Sequence, residues 1–568
     1  MMRSLRKEHQ TAPSSNAPWL ANYPLCVPHH LEYPEIQAHG LLERASQRYP
    51  ERLACRYYRQ SLTYSQLEEL ARRCASGLVN LGVQPGDRVA VLLPNIPEHI
   101  VALNGVWMAG ATAVALSPLM TPAEVDGLLQ ATDARVVITL DLLAPLVVNS
   151  EHKVEHILFT SLRDRLPHWQ RLGYAFARVR RLGFWPPADH PSQHDFADML
   201  ELADPGAHAA SPASLDDPAY ILPTGGTTGR PKAVVLSHRN LVSNAWQIYH
   251  WAGSREAQES ILAVLPLFHS YGLTTCLMTG MALAAPLIMH HRFIPRVVAR
   301  MIVEHRPSIF SAVPAMLTAM NEVFRLRPLD DRCLQYCISG GAPLPPQVAD
   351  EFAVHTGAVV VEGFGLSEAS PVTHTGPLDG TNRPGTIGLP LPDTDARLVC
   401  PHSGRIVTGA DEVGELLVRG PQVMLGYWRD DVATQEAIRG GWLYTGDLAT
   451  RDQDGFFKIV DRKKDLIITS GFNVYPGDVE RVLRGCPGIR DLAVVGVPDD
   501  KRGELVKAII VPETDPAFDR VVFERFCEEH LSKHKRPRVI EMCAGDLPRN
   551  FLGKVLRREL RGQSGSSE

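Results

Sequence analysis

From about Thr63 the chain alternates between segments with helical periodicity and short, uniformly apolar segments. "LTYSQLEELARRCASGLVNLG" has apolar residues at helical spacing, and "RVAVLLPN", which follows the turn "VQPGD", is typical of a strand. The alternation continues through "PEHIVALNGVWMAG", "ATAVALSP", "TPAEVDGLLQAT" and "ARVVITLD". Strands that are apolar along their whole length fit a parallel sheet covered by helices on both faces. The pattern therefore predicts an α/β fold built in layers.

The length of the chain and a change of pattern near its end predict two domains. A chain of 568 residues is too long for one compact core. Beyond "DRKKD" the pattern becomes a small α+β module, with helices in "GDVERVLRG" and "FERFCEEHLSKH" and strands in "IRDLAVVGVPD" and "LVKAIIVPE". We therefore predict a large multi-subdomain N-terminal domain with α/β layers over residues 1–461 and a small α+β C-terminal domain over residues 462–568.

Charge and cysteine content argue against two classes of protein. The 58 Lys and Arg residues against 63 Asp and Glu residues give a net charge of −5, which offers no reason to expect a nucleic acid as partner. The ten cysteines are scattered, and no CxxC pair or histidine cluster has the spacing of a zinc site. Thiols that stay reduced fit a cytoplasmic protein.

Neither the N-terminus nor the most apolar run predicts membrane insertion. "MMRSLRKEHQTAPSSN" is basic but lacks the apolar segment of a signal peptide. The run "TTCLMTGMALAAPLIM" is interrupted by Gly280 and Pro286 and is too short to span a bilayer, so it predicts a buried helix and turn.

A basic, aromatic segment follows the first strands and helices. "SLRDRLPHWQRLGYAFARVRRLGFWPP", over residues 161–187, combines arginines with five aromatic residues and a single acidic residue, Asp164. Such a stretch can rest on an anionic membrane surface as a peripheral contact, or it can be a helix packed on its own domain with its arginines in solvent. The packed helix is the favoured interpretation, and the membrane contact stays open. The polar residues that follow, 188–217, are predicted to be a surface connection.

The stretch "ILPTGGTTGRPKAVVLSH", which starts at Ile221, predicts a phosphate-binding loop. Its glycines let a ligand approach the backbone, while threonine hydroxyls, backbone N–H groups and Lys232 are donors that suit a phosphate. It differs from the common P-loop because Arg230 and Pro231 stand between Gly229 and Lys232. An ordinary surface loop is the alternative.

Five further segments combine with this loop into a recognisable set. They are "ISGGAPLPP", "EGFGLSEASP", "YTGDLA", "VDRKKDLIITSGFNVYPGDVE" and "LPRNFLGKVLRREL". In this order they resemble the acyl-adenylate-forming superfamily of acyl-CoA synthetases, firefly luciferases and nonribosomal-peptide adenylation domains. The resemblance extends from "LTYSQLEELA" to "GKVLRREL". "WLANYPLCVP", "ILPTGGTTG", "LPLFHSYGL" and the insert after Ser161 are similar to one branch, the bacterial long-chain fatty acid–CoA ligases.

The resemblance implies a two-step reaction with ATP, Mg²⁺, coenzyme A and a medium- to long-chain fatty acid. The carboxylate attacks the α-phosphate of ATP and releases pyrophosphate, and the thiol of coenzyme A then displaces AMP. A fatty acyl-AMP ligase that loads a carrier protein and another carboxylic acid–CoA ligase stay open. A non-catalytic nucleotide- or lipid-binding relative is disfavoured because Glu368, Asp447 and Lys554 are all present. Monomer and homodimer both stay open.

The resemblance also implies where ATP binds. The residues implied to hold its β- and γ-phosphates are Thr224, Gly225, Gly226, Thr227, Thr228, Gly229 and Lys232, and Thr228 is also counted as catalytic. Gly341, Ala342 and Pro343 are implied to form one wall of the adenine slot, and Phe364 is implied to lie on the purine face. Glu362, Gly363 and Gly365, which flank Phe364, are also counted as cofactor-binding. Ser367 would bond the α-phosphate and Glu368 would ligate Mg²⁺. Asp447 would accept from the ribose hydroxyls, with Arg462 alongside.

The remaining implied roles concern catalysis and the second step. Lys554 would bridge the substrate carboxylate and the α-phosphate. Lys464 aligns with a hinge, and Gly471 and Phe472 would line a channel for coenzyme A. His269 would lie where the carboxylate enters, although a buried structural histidine is an equal alternative. The segments 270–273 and 309–316 are predicted to line an acyl tunnel.

Overall fold

The structure, a computed structural model, describes residues 17–163, 168–182, 192–206, 214–224, 232–329, 332–401, 403–470, 472–499, 502–514, 517–549 and 554–562. Its strands are β1 (Leu53–Tyr57), β2 (Gln60–Thr63), β3 (Arg88–Leu92), β4 (Thr112–Ala115), β5 (Val136–Leu140), β6 (His156–Thr160), β7 (Gln193–Asp195), β8 (Pro218–Thr224), β9 (Lys232–Ser237), β10 (Ile261–Ala263), β11 (Leu287–Met289), β12 (Ile309–Ala312), β13 (Tyr336–Ser339), β14 (Val359–Gly365), β15 (Val372–Thr375), β16 (Leu389–Pro390), β17 (Asp395–Val399), β18 (Ile406–Val407), β19 (Gly414–Arg419), β20 (Gly426–Tyr427), β21 (Ile438–Arg439), β22 (Trp442–Arg451), β23 (Phe457–Arg462), β24 (Ile467–Thr469), β25 (Phe472–Val474), β26 (Ile489–Asp499), β27 (Gly503–Pro512) and β28 (Val539–Met542).

The α-helices are α1 (Gly40–Arg48), α2 (Tyr64–Asn80), α3 (Pro97–Met108), α4 (Pro122–Thr132), α5 (Pro145–Val148), α6 (His168–Leu182), α7 (Phe196–Leu202), α8 (His238–Trp251), α9 (Ser270–Gly272), α10 (Thr279–Ala282), α11 (Pro295–His305), α12 (Pro314–Leu326), α13 (Pro346–Thr356), α14 (Asp431–Ala437), α15 (Pro476–Leu483), α16 (Arg520–His530) and α17 (Arg557–Gly562). Short 3-10 helices occupy Pro18–Asn22, Asp141–Leu143, Ser367–Ala369 and Lys463–Asp465, and a π-helical turn occupies Leu273–Met278.

The predicted alternation after Thr63 is confirmed as α2, β3, α3, β4, α4 and β5. Helix α2 begins where Thr63 caps it: the Thr63 Oγ1 accepts from the Gln66 N–H at 3.3 Å, and the Thr63 N–H donates to Gln66 Oε1 at 3.0 Å. This reciprocal pair satisfies two amide groups that a helix start leaves without partners.

Two large mixed sheets form the α/β layers. The described strands of the first sheet run in the order β20-β9-β8-β4-β3-β5-β6-β7, and β4, β3, β5 and β6 are parallel to their neighbours. Those of the second run β16-β15-β14-β13-β12-β10-β11-β1-β2, with parallel pairing from β14 through β1. Strand β8 of the first sheet and strand β13 of the second lead into predicted ATP-binding segments, and α/β sheets commonly bind ligands at the carboxyl ends of such strands.

Two smaller sheets complete the described chain. One joins β18, β17, β19, β22 and β21, with β23 beside β22, and the other joins β25, β24, β27 and β26, with β28 beside β27. One buried apolar cluster extends from Trp19 to Phe457, and two small clusters lie between Ile467 and Leu560. The predicted domain boundary between Asp461 and Arg462 falls at the end of β23.

The apolar run from Thr274 is confirmed as a buried helical segment followed by a turn, because its residues in the π-helical turn and in α10 are buried. Among the described residues, no helix has both the length and the apolar character needed to cross a bilayer.

The prediction that residues 188–217 are only a surface connection is wrong for part of that segment. Strand β7 pairs in parallel with β6, and α7 begins at Phe196, which is 1% exposed. Asp195 caps α7 by accepting from the Ala197 N–H at 2.8 Å. The three-residue strand has the polar sequence "QHD", so only its pairing with the edge of the sheet reveals it.

Candidate active site

The phosphate-loop prediction maps to the hairpin between β8 and β9. Thr224 pairs with Lys232 across this hairpin, and the Thr224 hydroxyl donates to the Lys232 carbonyl oxygen at 3.2 Å. The loop residues Gly225, Gly226, Thr227, Thr228 and Gly229 lie outside the described residues. The hairpin therefore sets the position of Lys232 at one end of the loop.

Tyr427 joins Lys232 to Glu368. The Lys232 ammonium lies 4.8 Å from the centre of the Tyr427 ring, and the Tyr427 hydroxyl donates to Glu368 Oε1 at 2.9 Å. Neighbouring Ser367 has its hydroxyl oxygen 3.2 Å from that of Ser270. The structure thus brings Lys232, Ser367 and Glu368, predicted from separate segments, to one place.

Sequence reasoning missed Tyr427. It lies on the two-residue strand β20, and its position follows from pairing with Val234 of β9. Nothing in the local pattern of "MLGYW" marks this pairing. Only contact between segments far apart in the chain identifies Tyr427 as the residue that orients Glu368.

His269 lies next to Ser270 and caps a short helical turn. Its Nδ1 accepts from the Tyr271 N–H at 3.2 Å, and burial lowers the pKa of the imidazole to about 4. The side chain is therefore neutral near pH 7, and its observed contact is structural. A role toward a substrate carboxylate stays a prediction.

The predicted adenine segments lie side by side. Strands β13 and β14 pair in parallel, with Ser339 opposite Glu362, and the Leu344 N–H donates to Glu362 Oε2 at 3.4 Å. Burial raises the pKa of Glu362 to about 8. Gly341, Ala342 and Pro343, between Ser339 and Leu344, therefore lie beside Glu362.

The glycines around Phe364 belong to the same tight arrangement. Gly363 pairs with Thr375 of β15, and a Cβ atom on Gly365 would come 2.1 Å from the Pro371 carbonyl oxygen, so no side chain fits there. Half-buried Phe364 makes an edge contact with His374, with ring centres 6.1 Å apart.

An ion pair with a buried carboxylate lies between β22 and β23. Asp447 and Arg462 are register partners, and Arg462 Nε lies 2.7 Å from Asp447 Oδ1. Asp447 is 3% exposed, and its Oδ2 is buried without a hydrogen-bond partner among the described residues. Burial raises the pKa of Asp447, while the charges of Arg462 and Lys554 act in the opposite direction. An unsatisfied buried carboxylate oxygen of this kind suits a hydroxyl-bearing ligand.

Lys554 from the C-terminal region lies within electrostatic range of this pair. Burial, together with the Arg462 charge, lowers the pKa of Lys554 to about 8, while Asp447 acts to raise it. Burial and the Arg462 charge also lower the pKa of Lys464. Lys464, Lys554, Asp447 and Arg462 thus form one charged group across the predicted domain boundary.

Arg557, which sequence reasoning did not select, ties the last helix to the predicted hinge region. Its guanidinium lies 2.8 Å from Glu480, 3.6 Å from Asp465 and 3.8 Å from Asp461. Because Arg557 is three residues after Lys554, these contacts help to position the lysine. The sequence feature that could have drawn attention to Arg557 is the arginine pair in "VLRREL", but the local pattern does not identify the acidic partners.

The predicted coenzyme A residues are only partly described. Phe472 is 56% exposed, and its ring stacks on His534 with ring centres 4.8 Å apart. Gly471 lies outside the described residues.

Comparison with known proteins places these features in context. The AMP-binding enzyme family matches residues 42–428, and the AMP-binding enzyme C-terminal domain matches residues 478–554. The long-chain-fatty-acid–CoA ligase of Bacillus subtilis (strain 168) is 37% identical over 554 residues, which cover 96% of this chain and 98% of that protein. The enzyme of the same name from Salmonella typhimurium is 35% identical over 556 residues, with the same coverage.

Solved structures agree with the sequence comparison. ATP-bound MatB from Rhodopseudomonas palustris has a TM-score of 0.80 and 28% identity, and the match covers 93% of this chain and 99% of that one. The fatty acyl CoA synthetase of Mycobacterium tuberculosis has a TM-score of 0.70 and 30% identity, with 93% and 98% covered.

Proposed function

The chain belongs to the AMP-binding enzyme family, and from this premise we propose that it is an ATP-dependent fatty acid–CoA ligase that works through an acyl-AMP intermediate. The observation that carries the proposal is the Asp447–Arg462 ion pair, in which one buried carboxylate oxygen of Asp447 has no hydrogen-bond partner among the described residues and lies within electrostatic range of Lys554. Relatives named long-chain-fatty-acid–CoA ligase match nearly the whole chain. They support a fatty acid as the substrate and coenzyme A as the acceptor of the acyl group.

In the first half-reaction a carboxylate oxygen of the fatty acid attacks the α-phosphorus of ATP. A new P–O bond forms, the bond to the β-phosphate oxygen breaks, and pyrophosphate leaves with that electron pair. Negative charge increases around the α-phosphorus, so positioning and charge stabilisation supply most of the catalysis. We assign the stabilising cation to Lys554, the ribose contact to Asp447, the purine face to Phe364 and contact with the terminal phosphates to Lys232.

Glu368 fits the requirements of a magnesium ligand. Mg²⁺ is usually held by one or two carboxylates together with substrate phosphate oxygens. Glu368 offers such a carboxylate, since Tyr427 engages Oε1 and no hydrogen bond to Oε2 forms within the described residues. When bound, Mg²⁺ would neutralise phosphate charge. No described group of three or more His, Cys, Asp or Glu side chains could hold a metal ion independently of the nucleotide.

In the second half-reaction the sulfur of coenzyme A attacks the acyl carbonyl. A C–S bond forms, the thiol proton passes to solvent, and the C–O bond between the acyl group and the phosphate of AMP breaks, so that AMP leaves. Lys554 would obstruct this step if it stayed beside the acyl-AMP. We propose that residues 462–568 rotate about Lys464 between the two steps and that Gly471 and Phe472 then line the thiol channel. Support comes from the separate small apolar clusters between Ile467 and Leu560.

The test of the reaction is product formation from Mg-ATP and carboxylic acids of increasing chain length, with and without coenzyme A. We expect AMP and acyl-CoA to form, with the highest rate on long chains. Acyl-AMP that accumulates without thioester would indicate a ligase that loads a carrier protein. A peak on aromatic acids would indicate another acid–CoA ligase, as the feruloyl-CoA synthase of Amycolatopsis, 33% identical, exemplifies. No pyrophosphate with any acid would refute the proposal.

Replacing Asp447 with asparagine is expected to raise the KM for ATP about tenfold, because the amide loses acceptor capacity toward the two ribose hydroxyls. ATP–pyrophosphate exchange measured over a range of ATP concentrations checks this. Asp411→Asn is the matched control, since Asp411 is an exposed turn residue with a positive φ of 60°, which asparagine tolerates. An unchanged KM for ATP in Asp447→Asn would contradict the ribose assignment.

A further inference from the structure

Helix α6 is fixed to its own domain along one side. The buried Tyr174 hydroxyl donates to the Asp141 carboxylate and accepts from the Leu162 N–H at 3.3 Å. Arg178 Nε lies 3.4 Å from Asp141 Oδ2. Asp141 follows β5 directly, so this side of α6 rests on the end of a central strand of the first sheet. The helix is therefore packed on its domain, with a defined inner face.

The opposite side of α6 presents large apolar side chains to solvent. Leu172 is 79% exposed, Phe176 is 70% exposed and Val179 is 46% exposed. Their spacing of i, i+4 and i+7 places them in one line on a helix with 3.6 residues per turn. We call these three residues the α6 stripe. Single exposed apolar residues are common, but an aligned set on one helix face marks an interaction surface.

The charges of α6 indicate the kind of partner. Its sequence contains arginines at positions 171, 178, 180 and 181 and no acidic residue, whereas the whole chain has a net charge of −5. Helical geometry puts Arg171 and Arg180 on the two sides of the stripe, while Arg178 turns toward Asp141. An apolar line between cationic side chains is complementary to the interface of an anionic bilayer, where acyl chains meet phosphate groups.

We propose that the α6 stripe inserts into the interface of anionic phospholipid membranes and docks the protein there reversibly. A second copy of the chain fits this surface less well, because pairing two stripes across a two-fold axis would bring the flanking arginines of one copy toward those of the other. The proposal does not depend on the ligase reaction. If both hold, docking would bring the enzyme to the phase into which long-chain fatty acids partition.

Vesicle sedimentation of the full-length protein tests the docking surface. The vesicles are phosphatidylcholine alone or phosphatidylcholine with phosphatidylglycerol as the minor component. Wild-type protein is expected to bind the anionic vesicles about tenfold more tightly than the neutral ones, and added salt is expected to weaken this preference. The triple variant Leu172→Ser, Phe176→Ser and Val179→Ser is expected to bind the anionic vesicles about tenfold more weakly, or weaker still.

Two further variants assign the effect to the stripe and its charges. The double variant Leu326→Ser and Val354→Ser removes side chains that are 80% and 69% exposed on α12 and α13, and it should bind like wild type. The double variant Arg171→Gln and Arg180→Gln should lose the preference for anionic vesicles. The single variant Phe176→Ser should also weaken binding to anionic vesicles. It serves as the test if the triple variant fails to fold.

Three results would overturn the proposal. Wild-type protein that does not sediment with anionic vesicles, or stripe variants that sediment as well as wild type, would show that the stripe is not a membrane contact. A wild-type dimer that the stripe substitutions convert to a monomer, measured by light scattering, would identify a self-association surface. Unchanged melting temperatures and unchanged acyl-AMP formation on a short, water-soluble acid would show that lost vesicle binding is not lost folding.

Discussion

Replacing Lys554 with alanine is expected to lower the rate of acyl-AMP formation by roughly 10²- to 10³-fold, the usual loss when one group that stabilises transition-state charge is removed. The lysine lies within electrostatic range of Asp447 and Arg462 and is the cation we assign to the α-phosphate. Pyrophosphate release in a single turnover with a long-chain acid and Mg-ATP measures this step directly.

The second half-reaction separates a catalytic role of Lys554 from a general structural role. With acyl-AMP and coenzyme A supplied, the Lys554→Ala variant should form thioester within about threefold of the wild-type rate, because the lysine acts only in the first step. Lys153→Ala is the matched control, since Lys153 is an exposed residue ahead of β6. If the rates of both steps fell equally, Lys554 would have a structural role. If neither rate fell, the assignment of Lys554 to the α-phosphate would be refuted.

The pH dependence of the same step follows from the lowered pKa of Lys554. The ammonium form is the active one, so kcat/KM for acyl-AMP formation should fall as pH rises through about 8, the pKa that burial imposes on the free enzyme. An ordinary lysine would keep its charge up to about pH 10.4. Arginine stays protonated throughout this range, so the residual activity of Lys554→Arg should not fall above pH 8. A wild-type profile that stays flat to pH 10 would contradict this interpretation.

Replacing Glu368 with glutamine is expected to lower the rate of acyl-AMP formation by roughly 10²-fold and to raise the Mg²⁺ concentration needed for half the maximal rate. The substitution isolates the charge, because the glutamine oxygen can still accept the 2.9 Å hydrogen bond that Tyr427 donates to Glu368 Oε1. Pyrophosphate release over a series of Mg²⁺ concentrations measures both changes.

Two controls accompany the Glu368 measurement. Glu322→Gln removes the charge of an exposed carboxylate on α12 and should leave the Mg²⁺ dependence unchanged. Tyr427→Phe removes the hydrogen bond but keeps the Glu368 carboxylate and the aromatic ring beside Lys232. It should therefore lower the rate of acyl-AMP formation less than Glu368→Gln does. A Glu368→Gln variant with the Mg²⁺ dependence of wild type would exclude Glu368 as the metal ligand.

Local sequence pattern was sufficient for much of the fold. Periodicity and turn residues predicted α2 through β5, and the change of pattern after "DRKKD" predicted α15, β26, β27 and α16 of the C-terminal region but not β24, β25, β28 or α17. The polar strand β7 and helix α7 were missed, because three residues show no usable period and pairing with a sheet edge is not a local property.

In the candidate site, too, the sequence was sufficient to select some residues but not to predict the contacts of others. Asp447, Glu368 and Lys554 could be selected because their segments resemble a family, and Lys232 because its loop has the chemistry of a phosphate site. The contact of Tyr427 with Glu368 depends on the pairing of β20 with β9, and the contacts of Arg557 depend on how α17 packs against residues 461–480. No local pattern specifies either contact.

The sequence by itself determined which residues of this protein are periodic, apolar, charged or hydroxyl-bearing, and therefore its layers and its candidate chemistry. Only the tertiary structure decided which of those residues meet, and which face of α6 turns outward. The periodicity of α6 is compatible with either face being buried, and the choice rests on Tyr174 and Arg178 reaching Asp141. The physical reason is that backbone period follows from neighbouring residues, whereas register and packing depend on contacts between distant parts of the chain.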